Sequence, residues 1–156
     1  MGTASLTLSF DLPPLLGAGI DAEQVARFQR VAATPAGWDV AFAADEIAYA
    51  LSQPEPARAL CAAFCCKEAL FKCLRQPFNY PECVLHYQPG QRDYELELNG
   101  QLAQKLGPAQ AHAAVWPEDE GREMVAVVLL ARRRCNAAAR RACARWQSDP
   151  RHPSLQ

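Results

Sequence analysis

One long apolar stretch, Pro56–Leu74, constrains the fold of this chain more than any other segment. A proline stands at its start and Arg75–Pro77 at its end, which predicts a single long helix. Ala59–Cys66 contains no charged residue, so the helix is apolar almost all round. Because a surface helix shows a broad polar face, this one is predicted to be largely buried.

The few charges of this helix are expected to be partly buried with it. After Arg58 in the first turn and the uncharged run, they are Lys67, Glu68 and Lys72, and buried charges need partners or a metal ion. Glu68 and Lys72 lie one turn apart and point within about 40° of each other around the helix axis. The spacing leaves two interpretations open, a functional pair or an ordinary salt bridge on the exposed side.

A second concentration of charge lies in Gly19–Glu23, at the end of a short apolar run. In a strand, residues two apart face the same side, so the carboxylates of Asp21 and Glu23 would project together. Such oxygen ligands suit Mg²⁺. Alternatively, Asp21 caps the following helix and Glu23 lies in its first turn.

The other segments alternate between strand and helix patterns, ending in a meander. Together they predict an α+β domain with a long helix on a mostly antiparallel sheet, comprising residues 1–147 and followed by a flexible tail, 148–156. We predict strands at Ser5–Phe10, Leu15–Ile20 (buried), Cys83–Tyr87, Tyr94–Asn99, Ala111–Trp116 and Glu123–Ala131, the last two as a hairpin, and a tight turn at Asn99-Gly100. We predict further helices at Glu23–Ala32, Ala44–Ser52 and Arg132–Gln147.

The composition describes an ordinary globular protein, with half its residues apolar and a fifth charged. Met1–Phe10 lacks the basic start and long apolar run of a secretory signal, so we expect the chain to stay in the cytoplasm. The seven cysteines are odd in number, which argues against a disulfide framework. The sequence has no C-x-x-C pair, so small buried hydrophobes are favoured over a zinc site.

Charge is distributed unevenly along the chain. Residues 1–130 carry 9 basic and 16 acidic groups, whereas 131–156 carry 7 arginines and one aspartate. Such a basic segment attracts nucleic acid, membrane phosphate, an acidic protein or the chain's own acidic surface. Its scarcity of aromatic residues weakens the nucleic-acid interpretation, and a merely solvated helix stays open.

Three segments resemble the signature of a known enzyme family. They read GIDAEQVARF at Gly19–Phe28, FAADEIA at Phe42–Ala48 and FCCKEALFKCL at Phe64–Leu74. In order and spacing they are similar to the motifs of the 4′-phosphopantetheinyl transferases. The D-x-E spacing of Asp21 and Glu23 resembles the secondary-metabolism branch, whereas the length resembles the half-length branch that serves fatty-acid synthesis.

This resemblance implies a holo-[acyl-carrier-protein] synthase, an enzyme of fatty acid or polyketide biosynthesis. It would transfer the 4′-phosphopantetheine arm of coenzyme A to a serine of an apo acyl or peptidyl carrier protein, with Mg²⁺ as cofactor, and release 3′,5′-ADP. Nucleic acid and membrane are not among the implied partners. Resemblance to the half-length enzymes also implies a homotrimer whose active sites lie between two subunits.

The resemblance also implies the roles of single residues. The Mg²⁺ ligands would be Asp21, Glu23 and Glu68, and Glu68 would also act as the base. Lys72 would stabilise the pyrophosphate of coenzyme A. Lys67 would reach another of its phosphates.

His112 is implied as a further coenzyme A ligand, but its surroundings depart from the family pattern. The segment Ala111–Pro117 keeps this histidine and lacks the serine and the second histidine that follow in the half-length relatives. A satisfied core histidine is therefore an equal interpretation. A catalytically impaired carrier-protein or coenzyme A binding module, and a Mg²⁺-dependent enzyme for another phosphate substrate, stay open as alternatives.

Carrier proteins of this kind are acidic, so a basic docking surface is expected. The segment Arg132–Arg145 is the most basic part of the chain. Arg27 and Arg30 on the first predicted helix are an alternative contact.

Overall fold

The structure of the protein is a computed structural model that describes residues 15–132. The predicted strand Ser5–Phe10, nearly all of the predicted helix Arg132–Gln147 and the tail 148–156 lie outside these residues. The helices are α1 (Val25–Ala33), α2 (Ala44–Leu51), α3 (Pro56–Leu74) and α4 (Gly100–Leu106). The strands are β1 (Leu15–Gln24), β2 (Cys83–Val84), β3 (Asp93–Glu95), β4 (Glu97–Leu98), β5 (Ala109–Glu118) and β6 (Glu123–Arg132). Tyr80–Glu82 and Asp119–Gly121 form single 3₁₀ turns.

Four of the strands form an antiparallel sheet in the order β1-β6-β5-β3. β5 and β6 are the predicted hairpin, and β2 pairs with β4 in a separate two-stranded ribbon. α3 packs across one face of the larger sheet, against β1 and β6, and α1 packs against α3. The α+β prediction, with a long helix on a mostly antiparallel sheet, is confirmed.

α3 has the predicted bounds and is buried over most of its length. Most of its buried positions are filled by small side chains, alanines and cysteines, which let the helix lie close to the strands. On the outer side of the helix, the ring of Phe64 packs against the rings of Phe28 and Phe42, with centroid distances of 5.4 and 6.2 Å. All five cysteines within residues 15–132 are free, and four are buried, as predicted for small hydrophobes.

β1 lies directly against α3 at Gly19. A Cβ atom added there would overlap the carbonyl oxygen of Ala69, and one added at Gly17 would lie 2.8 Å from the sulfur of Cys73. Only glycine lets the strand backbone rest directly on the helix at this point. This contact fixes the distance between α3 and the residues that follow in β1, Asp21 and Glu23.

Gly19→Ala is expected to lower the free energy of unfolding by roughly 3 kcal/mol, at the upper end of the usual cost of overpacking. The added methyl would meet backbone rather than a flexible side chain. Urea unfolding measures the change, with Ala33→Ser, at an exposed alanine at the end of α1, as the control. An unchanged midpoint for Gly19→Ala would contradict the contact.

Two predicted boundaries around β1 are wrong. The strand runs to Gln24, and α1 begins at Val25 rather than at Glu23. The strand is also not buried on both faces, since Ile20 is 59% exposed. β1 is an edge strand that continues to pair with β6 through Glu23 and Gln24, which keeps these residues extended.

The region after α3 departs from the predicted meander. The pair Asn99-Gly100 starts α4 instead of forming a tight turn. The carboxylate of Glu82 accepts a hydrogen bond from the amide of Leu102, 2.8 Å away, and so satisfies one free donor at the helix start. Leu102 is itself buried. A side chain distant in sequence thus supplies what the local pattern does not show.

The sheet face turned away from α3 is open in the single chain. It carries Ile20 from β1, Val127 and Leu129 from β6, and His112 and Ala114 from β5, in register across the sheet. Their side chains are half-buried or exposed, while the alternate residues that face α3 are mostly buried. Within residues 15–132, no helix is both long and apolar enough to cross a membrane.

Candidate active site

Asp21 and Glu23 lie on β1 with their side chains on the α3 side of the sheet. Their partners across β6 are the buried residues Ala126 and Met124. α1 is preceded by Gln24 and has no side-chain cap, so the alternative of a helix cap at Asp21 is wrong. The strand spacing of the two carboxylates is as predicted.

Two thiols of α3 hold this part of β1. Cys65 donates to the carbonyl oxygen of Asp21 at 3.1 Å, and Cys61 donates to that of Glu23 at 3.4 Å. Burial raises the pKa of Cys61 to about 12, and it also raises the pKa of Cys65. The thiols therefore stay protonated and act as donors.

Lys72 binds Asp21 rather than Glu68. Its ammonium lies 2.6 Å from Oδ1 of Asp21, and this hydrogen bond raises the pKa of Lys72. The predicted alternative of an ordinary Glu68–Lys72 salt bridge is thus wrong. The Asp21 side chain is only 10% exposed, and its buried Oδ2 has no hydrogen-bond partner among the described residues.

Glu23 is paired with Arg27, one turn into α1, at 2.9 Å. Burial raises the pKa of Glu23, and the negative charges of Asp21 and Glu68 raise it further, although Arg27 acts in the opposite direction. Glu23 therefore lies near enough to the other two carboxylates to be repelled by both.

Glu68 has a partner that the sequence patterns did not indicate. The hydroxyl of Tyr80 donates to its Oε1 at 2.9 Å. Desolvation, together with the hydrogen bond to Glu68, raises the pKa of Tyr80, so the phenol stays protonated. Tyr80 lies in the 3₁₀ turn after α3, in no recognisable motif, and only the folding of that segment back onto α3 brings it to Glu68.

Lys67 is fully buried, on a different side of α3 from Glu68. Its ammonium lies 2.9 Å from Oε2 of Glu46 and donates to the carbonyl oxygens of Tyr80, at 2.9 Å, and Cys83. Three partners use all three donors of an ammonium. The prediction that Lys67 contacts a coenzyme A phosphate is therefore wrong, because this side chain is neither exposed nor free.

Glu46, the glutamate of the FAADEIA segment, has a structural role in the core. Besides Lys67, it accepts hydrogen bonds from the amides of Leu85 and Ala43, at 3.1 and 3.3 Å. Burial raises its pKa, whereas Lys67 lowers it. Glu46 and Lys67 form a buried ion pair that joins α2, α3 and the segment around β2.

His112 does not join the other predicted site residues in one chain. It is half-buried on the open face of the sheet, where it is in register with Leu129 of β6 and Glu95 of β3. A shallow groove of about 340 Å³ runs beside it. The core-histidine interpretation is wrong as well, since the side chain faces away from the core.

The acidic cluster of Asp21, Glu23 and Glu68 has the donor chemistry of a site for a hard divalent cation, although not the ligand geometry in this arrangement. Its ligands are carboxylate oxygens, one buried oxygen of Asp21 lacks a partner, and Lys72 and Arg27 supply the positive charge that stands there now. As these side chains stand, no three of the histidines, cysteines and acids within residues 15–132 are arranged to hold a metal ion.

Comparison with known proteins identifies the family. A family model described as the 4′-phosphopantetheinyl transferase superfamily matches residues 17–116. A holo-[acyl-carrier-protein] synthase of Anaeromyxobacter sp. (strain K) is 32% identical over 123 residues, which cover 74% of this chain and 95% of the relative.

Solved structures share the fold at lower identity. The ACPS–CoA complex from Chronobacterium ammoniagenes is 19% identical, covers 76% of this chain and 98% of its own, and superposes with a TM-score of 0.58. The holo-[acyl-carrier-protein] synthase from Neisseria meningitidis is 14% identical. The match covers 75% of this chain and 98% of the synthase, with a TM-score of 0.60. Because the family model matches most of the chain and the 32% identical relative is covered over 95% of its length, the chain belongs to the 4′-phosphopantetheinyl transferase superfamily. It is an enzyme of the holo-[acyl-carrier-protein] synthase kind.

Proposed function

We propose that this enzyme transfers the 4′-phosphopantetheine arm of coenzyme A to a serine of an apo acyl or peptidyl carrier protein, with release of 3′,5′-ADP. The observation that carries the proposal is the meeting of Asp21 and Glu23 of β1 with Glu68 and Lys72 of α3. Carboxylates and an ammonium at one point suit the handling of a pyrophosphate and an attacking hydroxyl.

The residues have separate roles in this reaction. Asp21, Glu23 and Glu68 would hold Mg²⁺, which when bound supplies positive charge to the phosphoryl oxygens. Glu68 takes the proton of the serine hydroxyl. The serine oxygen then forms a bond to the β-phosphorus, and the bond from that phosphorus to the bridging oxygen breaks, so that 3′,5′-ADP leaves. Lys72, whose pKa is raised, stays charged and neutralises the pyrophosphate.

Incubation of the chain with coenzyme A, Mg²⁺ and a panel of apo carrier proteins tests the proposal. We expect intact-protein mass spectrometry to show a carrier heavier by one phosphopantetheine arm, and a chelator to prevent the change. Binding of a carrier without any mass change, across the whole panel, would contradict transferase activity. That result would favour the impaired binding module.

We also propose that the enzyme is a homotrimer in which the open sheet face packs against a second copy. Ile20 and His112 lie on this face, away from the acidic cluster of their own chain. Contact with a neighbouring subunit would bury the apolar side chains and place His112 in a site shared by two chains. In that arrangement, His112 would bind a coenzyme A phosphate.

Ile20→Lys is expected to convert the trimer into a monomer, because it places a charge on this apolar face. The side chain is 59% exposed in the single chain, so the change has little effect on the folding of one subunit. Light scattering after size-exclusion chromatography measures the mass. Val40→Lys, at a 74% exposed position between α1 and α2, is the matched control and should leave a trimer. A wild-type chain that is monomeric would contradict the proposal.

The carrier protein is proposed to dock on a basic surface. The segment Arg132–Arg145 lies almost wholly outside the described residues. Of the alternative pair, Arg27 is engaged with Glu23 and lies 5.3 Å from the Phe64 ring, whereas Arg30 is exposed on the last turn of α1. Arg30 is thus the more available contact for an acidic partner.

Arg30→Glu is expected to raise KM for the carrier roughly tenfold with little change in kcat, because it replaces attraction by repulsion at the docking surface. Raising the salt from about 50 to 300 mM should weaken carrier binding to the wild type. Arg75→Glu makes the same change of charge at an exposed arginine just after the end of α3 and is the control. Salt-independent binding would contradict an electrostatic docking surface.

The compartment is proposed to be the cytoplasm. Five free cysteines within residues 15–132 are compatible with a reducing environment.

A further inference from the structure

Within residues 15–132, Tyr80 is the one side chain outside the predicted set that donates a neutral hydrogen bond to the carboxylate of a proposed metal ligand. Its hydroxyl donates to Oε1 of Glu68 at 2.9 Å. Both residues are half-buried, so the hydrogen bond is partly shielded from water. Lys72 and Arg27, which contact the other two acids, are cations that a bound metal would compete with. Tyr80 carries no charge and can keep its hydrogen bond when a cation is present.

The position of Tyr80 is fixed from three sides. The ammonium of Lys67 holds its carbonyl oxygen at 2.9 Å. Its ring stacks on Phe78, with centroids 4.9 Å apart and an interplanar angle of 26°, and lies 6.0 Å from the Phe64 ring. The buried Glu46–Lys67 pair therefore anchors the residue that holds Glu68, although neither member of the pair reaches the site itself.

We infer that Tyr80 is a positioning residue whose hydroxyl holds one oxygen of Glu68 and thereby orients the other toward the divalent cation. The inference rests on the proposed function only in taking Glu68 as a metal ligand. Groups that orient ligating carboxylates contribute to metal affinity because they remove alternative rotamers of the ligand. A tyrosine at this point would act on the affinity for the cation without touching coenzyme A or the carrier.

Tyr80→Phe tests the inference, since it keeps the ring and its stacking and removes only the hydroxyl. Mn²⁺ is titrated into the full chain with coenzyme A at constant concentration, and free Mn²⁺ is read by electron paramagnetic resonance, with a coenzyme A blank. We expect roughly tenfold weaker binding, at the lower end of the effects of outer ligands on metal affinity. Tyr87→Phe, a buried tyrosine on another part of the fold, is the control and should bind like the wild type.

The double variant Tyr80→Phe/Glu68→Ala, which removes both side-chain oxygens of Glu68, separates positioning from a structural role. If Tyr80 acts through Glu68, removal of its hydroxyl should have no further effect on Mn²⁺ binding once Glu68 is replaced. Equal weakening in both backgrounds, or no weakening by Tyr80→Phe alone, would overturn the inference. A wild-type chain that binds no Mn²⁺ would overturn it as well. Transfer activity measured on the same samples decides the proposed function separately.

Discussion

Glu68→Gln is expected to reduce phosphopantetheine transfer by about a thousandfold or more, the combined loss of a general base and of a charged metal ligand. The substitution keeps the size of the side chain, and glutamine can still accept the hydrogen bond from Tyr80. The cause of the loss is then charge and basicity rather than packing. Transfer is measured as the initial rate of carrier modification at saturating coenzyme A.

Two further variants make this result specific. Glu120→Gln applies the same change to an 87% exposed side chain in the β5–β6 turn and should leave the rate unchanged. Lys72→Ala is expected to slow transfer by several orders of magnitude at most, so that some activity remains. The reason is that the lysine stabilises the pyrophosphate but takes no proton. Normal turnover by Glu68→Gln would contradict the assignment of the base.

Lys67→Met is expected to have the largest effect on stability, a loss of about 3–5 kcal/mol in the free energy of unfolding. The variant leaves the carboxylate of Glu46 buried without its cation, and it removes the ammonium that donates to the carbonyl oxygens of Tyr80 and Cys83. Urea unfolding at one fixed protein concentration measures the loss, since self-association also affects the midpoint. Lys105→Met, an exposed lysine of α4, is the matched control.

The pH dependence of this deficit tests its cause. Burial raises the pKa of Glu46 and Lys67 lowers it, so the pKa is higher still once Lys67 is absent. The buried negative charge destabilises the variant above that pKa and is neutralised as the pH falls through it. The difference in stability between wild type and Lys67→Met should therefore shrink from pH 8 toward mildly acidic pH. A deficit that is constant with pH would point to lost packing instead.

Combining Lys67→Met with Glu46→Gln provides a second check. Because the double variant has no buried charge, we expect it to recover part of the lost stability. A double variant less stable than either single one would show that the ion pair contributes through the hydrogen bonds of Glu46 to Leu85 and Ala43.

The long helix and the acidic strand could be predicted from the sequence because their signals are local. An uncharged run between a proline and a basic end defines α3, and the i, i+2 spacing of Asp21 and Glu23 defines one side of β1. The extent of β1 could not be predicted. Its last residues resemble a helix start, and pairing with β6 keeps them extended.

The partner of each charge was decided by tertiary structure. Two lysines of one helix, Lys67 and Lys72, have similar local surroundings in sequence. The rotation of α3 against the sheet buries Lys67 against Glu46 and turns Lys72 to Asp21. Periodicity relates the two lysines to each other but carries no information on which face the sheet covers.

By itself, the sequence determined that this chain has a buried helix with a few charges and a strand with two acids beside it, and its motifs indicated the family. The tertiary structure alone decided that Tyr80 contacts Glu68, that Lys67 lies in the core, and that His112 lies on the opposite face of the sheet. The physical reason is that these outcomes depend on contacts between segments far apart in the chain. Local patterns determine the elements, whereas close packing, as at Gly19 against Ala69, determines which of their faces meet.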